Sequence, residues 1–174
     1  MEKAEARILV VEDQEGWQRH LAIIIGRMGH MMRGAYTRFE ARRLIREDHF
    51  VAGIFDVHLP DGYGIDLVPE FKSRNPTARA LVCSGYACVT ASQLAYAAGA
   101  DLFAESTRDN IESFLRGEAL HPSVTRPTLE QVKDEYVNKV LLEVQGNRSV
   151  AADLLGIRRQ SLQRLLRRKR TTGE

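Results

Sequence analysis

Five short apolar runs, each followed by a stretch with helical spacing, constrain this chain more than any other feature. Arg7-Ile8-Leu9-Val10-Val11 is continuous and β-branched, as a strand buried on both faces is. Residues 15–28 then place Trp17, Leu21, Ile24, Ile25 and Met28 at helical intervals. The pattern repeats. Residues 31–35 predict a weaker second strand, 39–46 a helix, 51–55 a third strand ending at Asp56, and 65–73 a helix stopped by Asn75-Pro76. Residues 80–83 predict a fourth strand, 90–98 a helix closed by Gly99, 101–104 a fifth strand, and 111–116 a last helix. Connections of this length do not make hairpins. They imply crossovers, hence a parallel, doubly wound α/β sheet with helices on both faces.

In such sheets ligands bind outside the carboxyl ends of the strands. Glu12 and Asp13 follow the first strand there, Asp56 ends the third, and Ser84 follows the fourth. Three carboxylates on one edge repel one another unless a cation sits among them. Hard oxygen donors suit Mg²⁺, which keeps waters and a phosphate oxygen in its shell. Asp56 then has a role as a nucleophile toward a phosphoryl donor, forming an aspartyl phosphate. His58 has no second histidine at ligand spacing and reads as a solvent-facing loop residue. With only Cys83 and Cys88 present, a disulfide framework is excluded and a reduced, cytoplasmic setting is expected. Cys83 reads as buried and Cys88 as idle. The start lacks a signal-peptide core, and no apolar run reaches the roughly 20 residues of a membrane span.

Four segments in order resemble the receiver domain of two-component response regulators: Ile8-Leu9-Val10-Val11-Glu12-Asp13, Phe55-Asp56-Val57-His58-Leu59-Pro60-Asp61-Gly62, Cys83-Ser84-Gly85-Tyr86 and Gly99-Ala100-Asp101-Leu102-Phe103. The resemblance implies a flavodoxin-like fold. It makes Asp56 the phosphoacceptor, with Glu12, Asp13, Asp56 and the backbone carbonyl of His58 as Mg²⁺ ligands. It makes Ser84 the switch hydroxyl and Phe103 the switch aromatic, and it implies a sensor histidine kinase or phosphotransfer protein as partner. One position departs from the pattern. Receivers carry Lys-Pro where this chain has Ser106-Thr107. Ser106 can donate a hydrogen bond but brings no charge, and the bond before Thr107 is expected to be trans. Arg108 is a sequence-near candidate to replace the missing cation.

Charge divides the chain. Residues 1–120 carry 14 basic and 17 acidic residues, and residues 121–174 carry 11 and 6. An acidic body with a basic end predicts separate partners, the end suiting a polyanion. The expected domains are 1–116, a linker over 117–127 with two prolines, and 128–174. Thr128 is a candidate cap for a helix through Val144 with one apolar stripe. A short helix over 148–155, the turn Gly156-Ile157 and a helix over 158–168 then predict a small all-α helix-turn-helix domain. On the last helix, Leu162, Leu165 and Leu166 share one face, while Gln160, Gln163, Arg164 and Arg167 point away, as a helix reading a major groove requires.

Residues 146–164 resemble the Fis-type helix-turn-helix. That likeness implies DNA contacts at Arg158, Arg159, Ser161 and Arg164, and a homodimer formed through the preceding helix. Arg167 shares the groove-facing side in this reading, and Arg168, Lys169 and Arg170 are expected to meet phosphates. A receiver joined directly to such a module, with no ATPase domain between, resembles the short global regulators of the redox and photosynthesis-control type in proteobacteria. The expected function is transcription control by sequence-specific DNA binding with phosphorylation as input, and not catalysis. Two other readings stand beside it. One is a phosphorylation-independent receiver acting as a dimerisation or interaction scaffold, which Ser106 favours. The other is a small phosphoryl-transfer enzyme or hydrolase, disfavoured because His58 rather than an acid lies two residues after Asp56.

Overall fold

Residues 6–85, 89–118, 128–144 and 146–171 are described in the computed structural model, by backbone alone at several helical positions that include 89–90 and 167–171. Five strands pair in parallel in the order β2-β1-β3-β6-β7: β1 (Arg7–Val11), β2 (Met31–Ala35), β3 (Ala52–Asp56), β6 (Arg79–Ser84) and β7 (Leu102–Glu105). Between β3 and β6 lie a two-stranded hairpin, β4 (His58–Leu59) with β5 (Gly62–Tyr63), and a 3-10 turn over Gly64–Leu67. The helices are α1 (Glu15–Arg27), α2 (Arg38–Glu47), α3 (Val68–Arg74), α4 (Val89–Ala97) and α5 (Arg108–Arg116).

Side chains alternate across each strand, so the sheet feeds two cores. Leu9, Val11, Phe55, Val82 and Phe103 face the helices α2, α3 and α4, meeting Leu44, Ile45, Phe71 and Ala95. Ile8, Val10, Ile54, Leu81 and Cys83 face α1 and α5, meeting Leu21, Ile25, Ile111 and Phe114. With both faces covered, the central strands β1, β3 and β6 can be apolar through most of their length, which is the pattern their sequences carry.

The chain differs from the sequence expectation after Asp56. Residues 65–67 form the 3-10 turn, and the α-helix begins only at Val68, with Pro69 in its first turn, where a proline lacks no needed donor. Gly64 sits against the main-chain carbonyl of Asp56, and a Cβ there would overlap that oxygen. The hairpin is pinned from the side. Asp61 accepts from the N–H groups of Arg38 (2.9 Å) and Phe39 (3.1 Å), the Thr37 hydroxyl accepts from Glu40 N–H (3.1 Å), and Glu40 accepts from Tyr36 N–H (2.7 Å). The first turn of α2 is thereby satisfied by a loop that ends next to Asp56. At the other edge, α5 begins three residues earlier than expected. Thr107 caps it by accepting from Asn110 N–H, and the described peptide bonds are all trans.

The chain divides into two units, Met1–Arg126 and Pro127–Glu174. The second holds α6 (Leu129–Glu143), α7 (Arg148–Leu154) and α8 (Arg159–Thr171), which ends three residues beyond the helix read from sequence. Val137, Val140, Ala151, Ala152 and Leu162 form its core. Asn147 starts α7 by accepting from Ser149 and Val150 N–H groups at 3.2 and 3.3 Å. Gly156 takes φ +64°, the left-handed region a glycine reaches freely, and turns the chain from α7 into α8. Residues 119–127, most of the expected linker, and Tyr86 and Cys88 lie outside the described residues. Among the described residues no helix is long and apolar enough to cross a membrane.

Candidate functional site

The parallel sheet delivers Glu12 and Asp13 from the end of β1 and Asp56 from the end of β3, because these strands are neighbours paired Val11 to Phe55. One carboxylate oxygen of each lies within 4.8 Å of the others. Glu12 is buried, Asp56 half-buried and Asp13 exposed, so the cluster opens to solvent on one side. Burial pushes the Asp56 carboxyl from its ordinary 3.8 up to about 8, and the charges of Glu12 and Asp13 add to the rise, while the backbone N–H groups of His58 and Val57 oppose it. Burial likewise pushes Glu12 up to about 7, with the Asp13 charge adding and the Gln14 N–H opposing. The strongest influences on both acids are burial, other acids and backbone amides, and no lysine or arginine stands among them. Three convergent oxygen donors, with no lysine or arginine among the leading influences on Glu12 and Asp56, are a donor set that fits a hard divalent cation.

His58 follows Asp56 by two residues on β4, half-buried, its ring edge-on to Tyr63 with centroids 5.9 Å apart. Ser84 is the last residue of β6 and is buried, and its carbonyl accepts from Ser106 N–H at 2.9 Å. Phe103 is buried in the core cluster that holds Ala91 and Ala95 of α4. Ser106 is half-buried, and its side chain lies near enough to Cys83 to oppose the rise of that thiol. Cys83 is buried as its apolar strand predicts, and burial pushes its thiol up. Arg108 does not stand in for a site cation. Its Nε meets Glu112 at 2.7 Å on the surface of α5.

Two supports of the site escape the sequence reading. Gln18 is buried on α1 and donates to main-chain carbonyls at the ends of β1 and β2. It lies three residues before Leu21 and seven before Ile25, on the buried face, and a polar residue there was the available signal. Asp61 ties the hairpin to α2, which no local pattern announces.

In the second unit, Arg158 just before α8 and Arg159, Gln160 and Arg164 on it are exposed, and Leu162 is fully buried. Gln163 is half-buried rather than fully turned to solvent. Ser161 and Arg164 line a cleft of about 420 Å³ with Lys133 and Tyr136 of α6, over a floor that includes Ile157 and Leu165. Arg167 and Arg168 lie on the described backbone of α8, but their side chains fall outside the described residues.

Residues 8–110 match the family described as response regulator receiver domain, and residues 128–168 match bacterial regulatory proteins of the Fis family. The chain is 26% identical over 171 residues to the photosynthetic apparatus regulatory protein RegA of Cereibacter sphaeroides, covering 95% of this chain and 93% of that protein. It is 26% identical over 167 residues to the acid tolerance regulatory protein ActR of Rhizobium meliloti, covering 93% and 86%. Among solved structures it is similar to a response regulator protein from Burkholderia pseudomallei with a phosphorylated aspartic acid, calcium ion and citrate. That match has a TM-score of 0.62 at 29% identity over 92% of this chain and 98% of the other.

Proposed function

Since the chain belongs to the response regulators, with a receiver domain ahead of a Fis-family helix-turn-helix, we propose that it regulates transcription through an aspartyl phosphate formed at Asp56. The observation that carries this is the convergence of Glu12, Asp13 and Asp56 at one sheet edge. A carboxylate oxygen of Asp56 attacks the phosphorus of a phosphohistidine on a sensor kinase or phosphotransfer protein. The new P–O bond replaces the donor's P–N bond, and the imidazole nitrogen leaves with the electron pair. The carboxylates of Glu12, Asp13 and Asp56 and the carbonyl of His58 would hold Mg²⁺. When bound, the ion supplies positive charge that offsets the charge on the phosphoryl oxygens. The Val57 and His58 amides steady the Asp56 carboxylate. The relative with a phosphorylated aspartic acid and a calcium ion supports this reading.

Ser84 is the hydroxyl that turns to the phosphoryl group, and Phe103 follows it within the core beneath α4. Ser106 supplies no cation, so the phosphorylated state depends on the metal for charge balance more than a lysine-bearing receiver does. The uncharged Ser106 also favours a second reading, in which the receiver is a phosphorylation-independent scaffold for dimerisation. In both readings the protein acts in the cytoplasm as a homodimer. The domains are 1–116 and 128–174 joined by 117–127, and Arg158, Arg159, Ser161, Arg164, Arg167 and Arg168 contact DNA. Neither reading makes it an enzyme. The test is incubation with acetyl phosphate and Mg²⁺. Acid-labile phosphate should form on the wild type and not on Asp56→Asn, and Asp13→Asn should label far less. Undiminished labelling of Asp56→Asn would remove the mechanism.

A further inference from the structure

Gln18 is 4% exposed, and its Nε2 donates to two main-chain carbonyls at once: Glu12 at 2.9 Å and Ala35 at 2.8 Å. Ala35 ends β2, and Glu12 directly follows β1. The Glu12 N–H donates to the same Ala35 carbonyl at 3.0 Å. One buried amide therefore holds the main chain of Glu12 against its neighbouring strand. The backbone of Gly34 leaves the room this needs. A Cβ at position 34 would overlap Gln18 Oε1 and approach Met32 Cε at 3.2 Å. An apolar side chain would continue the stripe of α1, so packing alone does not call for an amide at this position. One of its two hydrogen bonds ends on Glu12 itself, the first acid of the cluster, and the other on Ala35 of β2, whose carbonyl also accepts from Glu12 N–H.

We propose that Gln18, seated over Gly34, is a positioning residue for the divalent-cation site, fixing the main chain of Glu12 so that its carboxylate meets those of Asp13 and Asp56. The proposal rests on the metal reading of the acid cluster given above. Partners outside the ligand set that orient metal ligands commonly carry about ten- to a hundredfold in metal affinity.

The experiment titrates Mg²⁺ calorimetrically into the full chain and records melting of the same proteins in EDTA. Gln18→Met keeps the length and loses both donors. Gly34→Ala leaves Gln18 in place but crowds its amide out. Phe114→Leu is the control: Phe114 is buried and packs under Arg79 at the opposite end of β6, away from the acids. The expected result is about a tenfold loss of Mg²⁺ affinity in both site variants, with Phe114→Leu binding as the wild type does despite its lower melting point. If Gly34→Ala fails to fold, Gln18→Met decides alone. Wild-type Mg²⁺ affinity in Gln18→Met would overturn the proposal and leave the metal site standing. Loss of affinity in proportion to melting point across all three variants would overturn it too, since Gln18 would then serve only the fold. A wild type that takes up no Mg²⁺ would overturn the metal reading itself, and this proposal with it.

Discussion

Removing the acceptor charge should make the metal-free protein more stable, by an amount that depends on pH. Asp56 has its carboxyl pushed from 3.8 up to about 8, first by burial and then by the charges of Glu12 and Asp13. Below pH 4 the acid is neutral in both the folded and the unfolded chain, and its burial costs little. As pH rises past 4 the unfolded chain ionises first, and the folded state loses stability relative to it. The loss grows until the folded acid ionises as well, near pH 8, and is constant beyond. Each unit of displacement is worth about 1.4 kcal/mol, so at pH 7 the ceiling is roughly 4 kcal/mol. Asp56→Asn keeps the shape and removes the titration. In EDTA its advantage over the wild type should be near zero at pH 4 and grow to a few kcal/mol by pH 8. At roughly 3 °C per kcal/mol for a chain of this size, that is about 10 °C in melting temperature. Saturating Mg²⁺ should shrink the gap, because the ion stabilises the wild type by binding only its folded site. The assay is thermal melting at several pH values with and without Mg²⁺. A gap that does not change with pH, or an asparagine variant less stable than the wild type in EDTA at pH 8, would refute the reasoning.

Gly64→Ala should cost about 1–3 kcal/mol by denaturant unfolding and slow phosphorylation, since its Cβ would press on the Asp56 carbonyl; a neutral result would mean the turn moves freely. Ser106→Lys should speed labelling by acetyl phosphate by bringing a cation to an acid cluster that lacks one, and an unchanged rate would show that the position does not reach the phosphoryl group. Arg159→Ala in the full chain should cost about 1–3 kcal/mol on a selected duplex and less on a scrambled one; equal losses on both would make Arg159 a phosphate contact only.

The sheet was legible because its strands are buried on both faces. Runs such as Arg7–Val11 and Ala80–Cys83 show no alternation, and the helical stretches between them allow no hairpin. The acid cluster was legible for the same reason: parallel strands end on one edge, so Glu12, Asp13 and Asp56 had to share it. What stayed hidden depends on contacts between distant segments. Asp61 reads locally as a turn residue, yet its partners lie 22 and 23 residues away on α2. The late start of α3 comes after a 3-10 turn whose first residue, Gly64, packs on the Asp56 carbonyl, a steric fact that residue spacing does not encode. Thr107 shows the converse. Where the family carries proline, a threonine takes up the capping of α5, and a short polar residue before a helix is a signal that spacing alone does carry.

All of this bears on whether chemistry at Asp56 reaches the DNA. The most direct measurement is the affinity of the full chain for a selected duplex in Mg²⁺, with and without acetyl phosphate, for the wild type and Asp56→Asn. The phosphodonor should change the wild-type affinity by about fivefold or more, the lower range of coupling between linked sites, and leave Asp56→Asn unmoved. Superimposable wild-type curves with and without a donor that demonstrably labels Asp56 would contradict it.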